Sequence, residues 1–190
     1  MTFPRFAPNF AILAFGAAFA PRTGAMAVIV CGMLLAALPA LADQRQDDAD
    51  TLESCMVTAW PRNVLTLCAG IVSAPCQAEP GGQTTLGMNR CLAREADAWD
   101  AVLERQFPRL MTRAREIDAA NQSTAPALDS AAETLRGAQR AWIVFRDAEC
   151  RHNYAIWGMG SFRNVAHSAC RLDLTARRVV DFHARLVTGG

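Results

Sequence analysis

Apolar residues that return every seven positions, in three separate segments, constrain this chain more than any other feature. Ala96, Leu103, Leu110 and Ile117 form the first series, with Leu92 and Trp99 on the adjoining rows. Leu128, Leu135 and Trp142 form the second, and Val165, Leu172, Val179 and Leu186 the third, with Phe182 alongside. Seven residues are two helical turns, so each series marks one buried stripe of a helix. No run alternates with period two, and no internal repeat is present. The pattern predicts an all-α fold: an antiparallel three-helix bundle carrying a small disulfide-held N-terminal helical cap.

Punctuation sets the bounds. The first long helix starts near Thr85, with Pro108 as a candidate kink, and Asn121 to Pro126 ends it. Ser130-Ala-Ala-Glu133 matches a capping box, although Pro126 also suits a start four residues earlier. The second helix then runs to about Trp157. Its centre, Trp142-Ile143-Val144-Phe145, is apolar at four successive positions, which covers most of a helix circumference and predicts that this helix is the central one. Gly158-Met159-Gly160-Ser161 stops it, because glycine tolerates the left-handed backbone of a helix end. Upstream, residues 52 to 75 predict two short helices, one started by Pro61, and the turn residues of Gln77 to Gln83 predict a loop.

Charge divides the chain again. All 18 acidic residues lie at Asp43 or beyond, whereas residues 1 to 42 hold only Arg5 and Arg22. Arg22, the apolar run Ala25 to Leu38 and Ala40-Leu41-Ala42 compose an export signal with a long n-region, cut after Ala42. The alternative is an uncleaved anchor, since Ala25 to Ala42 approaches bilayer length. Asp43 to Glu53, with five acids and one arginine, reads as a solvated acidic lead-in. The domain plan is therefore 1–42 signal, 43–53 lead-in, 54–84 cysteine-containing cap and 85–188 bundle.

The exported portion keeps 17 arginines against 18 acids, so its charge is near neutral, and the arginines are dispersed; nucleic acid is disfavoured as a partner. No lysine occurs anywhere, which excludes Schiff-base chemistry and a P-loop lysine. Six cysteines remain after the signal: Cys55, Cys68, Cys76, Cys91, Cys150 and Cys170. An even number behind an export signal points to three disulfides in an oxidising compartment, periplasmic or secreted. Six cysteines permit 15 pairings. The preferred set is Cys55 with Cys68, Cys76 with Cys91, and Cys150 with Cys170. Cys150 and Cys170 lie equidistant from the turn at residue 160, although Cys170 stands off the Val165/Leu172 stripe. No CxxC pair or histidine spacing suggests a metal site, and no cofactor-binding motif is present.

Antiparallel hairpins pair residues symmetrically about their loops. Folding about residue 123 brings Trp99-Asp100 level with Arg146-Asp147, and folding about 160 adds Leu174-Thr175. Arg146 is expected to reach Asp100, with Thr175 as a further partner and Trp99 and Trp142 screening the pair from water. The catalytic alternative would use a carboxylate pair from Asp97, Asp100, Asp147 and Glu149. Helix-interior acids facing arginines are more often structural, so no catalytic residue is assigned.

The block Leu135-Arg-x-Ala-Gln139-Arg-Ala-Trp142-Ile-x-Phe-Arg146-Asp147-Ala-Glu-Cys150 resembles the DUF1311 family, the lysozyme inhibitor LprI-like N-terminal domain. Gly158, Gly160-Ser161, Cys170, Leu174-Thr175 and Arg177 continue the resemblance. Met88-Asn-x-Cys91 and Glu95-x-x-x-Trp99-Asp100-x-x-Leu103 precede it, and the whole spans residues 76 to about 186. Where the family carries Leu-Asn and then tyrosine, this chain has Leu103-Glu104 and Phe107. The resemblance implies an exported, helical, cysteine-stapled domain that acts by binding a protein, and it points to a lysozyme-type muramidase as the partner.

Such an enzyme works with two carboxylates in a cleft, so an inhibitor needs a protruding loop with a cation or donors. Ser161, Phe162 and Arg163 are the candidate partner-binding loop: Phe162 to anchor, Arg163 to meet the carboxylates. A tight glycine turn that merely caps two helices is the plainer reading. The second function class is a structural or interaction module of the cell envelope, for which an exposed apolar cap face around Trp60 would speak.

Overall fold

A computed structural model describes residues 26–189 other than 123 and 126, with side chains from Asp43 onward. The expectation of a cleaved leader over 1–42 therefore lies outside the residues whose side chains are described. Among the described residues no helix is long and apolar enough to cross a membrane. Pro39–Gly190 forms one compact unit, and the contacts that follow belong to it.

Helices follow one another without a strand among the described residues: α1 Met26–Ala59, α2 Val64–Cys68, α3 Ser73–Ala78, α4 Thr85–Gln122, α5 Ala131–Ala155 and α6 Arg163–Thr188. Of the three bundle helices, α4 and α6 carry the first and third heptad series whole, and α5 carries Leu135 and Trp142 of the second, whereas Leu128 precedes α5 and is exposed. Ser130 caps α5, its side chain accepting from the Glu133 N–H, and Asp118 of α4 reinforces the same terminus by accepting from Ser130 Oγ and the Ala131 and Ala132 N–H groups.

Three expectations are corrected. The segment 43–53 is not a solvated lead-in. It is part of α1, and Ala49, Leu52, Met56 and Ala59 are buried in the main core. These four stand at helical spacing, while the acids between them face α4: Arg94 grips both oxygens of Asp48 at 2.7 and 2.8 Å, and Arg105 reaches Asp50 at 2.5 Å and Glu53 at 3.0 Å. The architecture is thus the three-helix bundle plus the C-terminal half of α1.

Pro61 does not open a helix. It follows a cis Trp60–Pro61 bond in the turn between α1 and α2. Nor is the second long helix central. Ile143, Val144 and Phe145 are exposed, and the buried residues of α5 are Ala132, Gln139 and Cys150. The centre is α4, which packs along α6 and buries thirteen residues, Trp99 and Val102 among the most enclosed.

The disulfides are Cys55–Cys68, Cys76–Cys91 and Cys150–Cys170. They tie α1 to α2, α3 to α4, and α5 to α6. This is the pairing preferred from spacing, Cys170 reaching Cys150 despite its place off the stripe.

Candidate functional site

One layer of the bundle gathers the predicted polar residues. Arg146 of α5 donates from Nη1 to Asp100 Oδ1 of α4 at 2.7 Å and to Thr175 Oγ1 of α6 at 3.5 Å. Its Nε donates to Asp147 Oδ1 at 3.0 Å. Arg146 and Asp100 are largely enclosed and Thr175 is fully buried, whereas Asp147 lies half in solvent. Trp142 lies under the Arg146 guanidinium at 5.1 Å and meets Arg178 on α6 at 5.6 Å. Trp99 is wholly buried, but its indole N–H is spent on Glu95 at 3.2 Å.

Sequence reasoning missed two members of this frame. Arg171 of α6 donates to Asp100 Oδ2 at 2.9 Å and to Asp97 Oδ1 at 3.1 Å, so Asp100 is clasped by arginines of both neighbouring helices. Burial works against the charge on Arg171, yet Asp100 and Asp97 outweigh it and hold its pKa above the ordinary arginine value. Glu95, completely buried, accepts the Gly70 and Ser73 N–H groups at 2.7 Å each as well as the Trp99 indole. It thereby satisfies backbone donors ahead of and at the start of α3, and joins the cap to α4. Glu95 was visible only as part of the family resemblance; its partners lie 22 and 25 residues away.

These carboxylates are engaged by donors. Asp97, Asp100 and Asp147 pair with arginines, and Glu149 accepts from Asn153. The layer is a clamp. Among the described residues, no group of three or more His, Cys, Asp or Glu is arranged to hold a metal ion.

The α5–α6 turn is different, because it offers surface. Met159 is 91% exposed, Ile156 64%, Trp157 46% and Phe162 37%, and Ser161 is exposed beside them. The Trp157 and Phe162 rings pack at 4.7 Å, and Arg163 lies 5.1 Å over the Tyr154 ring while donating to the Gly158 carbonyl at 3.4 Å. Arg163 has no acidic partner among the described residues. Glycine fixes the shape: Gly158 has φ +52°, and a Cβ on Gly160 would stand 2.9 Å from the Trp157 carbonyl. Just behind the tip the Cys150–Cys170 bond holds the two helices together. The predicted loop residues Ser161, Phe162 and Arg163 are thus brought together, and Ile156, Trp157 and Met159 join them. Sequence reading assigned Trp157 to a helix end and missed its exposure.

The described residues thus form a helical frame stapled by three disulfides, with an exposed apolar turn between α5 and α6. The chain belongs to the LprI family: the family described as lysozyme inhibitor LprI matches residues 76–182, which takes in α4, α5, most of α6 and the tip. It is also similar to an uncharacterized protein of Rhizobium meliloti (strain 1021), at 28% identity over 129 residues, covering 66% of this chain and 93% of that one. No solved structure matches.

Proposed function

We propose that this chain is an exported, periplasmic or secreted protein that binds lysozyme-type muramidases and blocks them through the α5–α6 tip, without catalysis or cofactor. Family membership supports the inhibitory role, and three disulfides support an oxidising compartment reached through cleavage after Ala42. The observation that carries the reading is the cluster of Ile156, Trp157, Met159 and Phe162 in solvent around Arg163. Large apolar side chains on a rigid protrusion are the material of binding hot spots, and a guanidinium suits the paired carboxylates of a muramidase cleft. In this reading Trp157, Met159 and Phe162 fill the groove, and Arg163 turns from the Tyr154 ring to the carboxylates.

The test is inhibition of muramidase activity by tip variants of unchanged melting temperature. Trp157→Ala is expected to weaken inhibition about 30-fold, the measure of a 2 kcal/mol hot spot, and Arg163→Ala combined with Ser161→Ala to weaken it further. Undiminished inhibition by all three changes together removes the tip from the mechanism.

A second reading has its own observation. Leu67 is largely exposed on the cap beside Ile71, in a shallow groove that includes Thr58 and Arg62. Trp60 is not part of that face, being packed edge-on against His183 at 5.1 Å. An envelope interaction module with no lysozyme target would use this surface, and full muramidase activity in the presence of folded, oxidised protein would favour it.

A further inference from the structure

Away from the tip, α4 and α5 diverge around a groove of about 630 Å³. Leu103, Phe107 and Pro108 of α4 and Trp142 and Ile143 of α5 give it an apolar floor. The charged groups on its edge are almost all compensated. Asp100 and Arg146 pair with each other, Glu104 pairs with Arg45, and Arg136 pairs with Glu133. Arg140 is the exception: it lines the groove, is exposed, and has no hydrogen-bond or ion-pair partner among the described residues. The groove therefore combines an oily trough with one uncompensated positive charge at its rim. Its volume falls in the range of small-ligand sites, about 300–1,000 Å³.

We infer that this groove binds a single-chain amphiphile with a carboxylate head. The acyl chain lies along Phe107, Trp142 and Ile143, and the carboxylate meets Arg140. A carboxylate is the natural complement because the guanidinium fork takes both oxygens. A cationic head would face Arg140 unscreened, with Asp100 and Glu104 already committed elsewhere. The site is separate from the tip and does not depend on the inhibitor reading.

Dodecanoate below its micelle concentration is the probe, with the oxidised protein observed by NMR and isothermal titration. The inference expects one molecule per chain and a saturable shift of the Trp142 indole N–H. Affinity should rise with chain length from octanoate through decanoate, up to about fourfold for each fully buried methylene. Dodecyltrimethylammonium should bind at least tenfold more weakly. Arg140→Glu, which breaks no contact in the fold, should weaken dodecanoate at least tenfold at unchanged melting temperature, and Ile143→Asp should abolish the chain-length dependence. Equal affinity for the two heads, indifference to Arg140→Glu, or shifts at Trp157 in place of Trp142 would each overturn the inference.

Discussion

Asp100 of α4 and Arg171 of α6 stand 2.9 Å apart, while the other oxygen of the same carboxylate holds Arg146 of α5 at 2.7 Å. One aspartate therefore ties α4, α5 and α6 together. Removing it leaves Arg146 only the half-exposed Asp147 and Arg171 only the half-exposed Asp97 as acidic partners, and undercompensated charge in a mostly enclosed layer costs more than the pair itself is worth. Asp100→Ala is expected to cost about 3 kcal/mol, the low end for a buried pair because Asp100 keeps some solvent contact. Asp147→Ala, whose carboxylate is half exposed, should cost under about 1 kcal/mol. Urea unfolding of the two variants checks the ratio, and equal losses would refute the clamp.

Glu95 presents two oxygens to three N–H donors in a site without water access. Glu95→Gln turns one oxygen into an NH₂ group that faces donors, which converts an attraction into a collision of like dipoles. Hydrogen bonds to charged groups contribute roughly 1.5–3 kcal/mol, and a loss of about that size is expected, felt first in the cap. Hydrogen exchange at Gly70 and Ser73 is the direct readout: both amides should lose protection while the α5 amides keep theirs.

Gln106 offers the opposite sign. Its Oε1 is buried without a hydrogen-bond partner among the described residues, and an orphaned buried acceptor costs about 1–3 kcal/mol. Gln106→Met keeps the shape and removes the polar atom, so it is expected to raise stability by about 1 kcal/mol in the same unfolding assay. A loss of stability would show that the oxygen is satisfied in solution.

Two histidines set an acid limit. Burial, then Arg109, lowers the His183 pKa against the pull of Glu53; burial, then Arg171, lowers that of His167 against Asp147. Both folded-state values lie below the unfolded value of about 6.5. The unfolded chain then binds more protons as the pH falls, so this stability is complete above about pH 6.5 and is lost as the pH drops through 6.5 toward the folded pKa values. The melting temperature should decline between about pH 7 and 5, and His167→Gln with His183→Gln should flatten that decline. NMR titration of the two rings fixes the midpoints independently.

Local rules carried the three long helices, since heptad stripes, the Ser130 cap and the glycine turn are all encoded within a few residues. Reflection about the two loops carried Arg146 to Asp100 and Cys150 to Cys170. The same rules failed where partners are distant. Asp48, Asp50 and Glu53 look solvated in isolation, and their partners Arg94 and Arg105 lie some 46 to 55 residues on. The buried stripe Ala49, Leu52, Met56 and Ala59 was nonetheless there to be read. Trp142 to Phe145 misled in the other direction, because an apolar run can serve surface as well as core: Val144 is 68% exposed. Arg171 escaped because its long side chain reaches Asp100 from a turn away from the level that loop symmetry selects.

Muramidase inhibition by a frame held together by three disulfides is the proposal on which the tip assignment rests. The most direct measurement is residual lysozyme activity titrated with the oxidised chain Asp43 to Gly190, beside a reduced control. The expected result is stoichiometric loss of activity that vanishes on reduction. Full activity in a large excess of the folded, oxidised protein would contradict it.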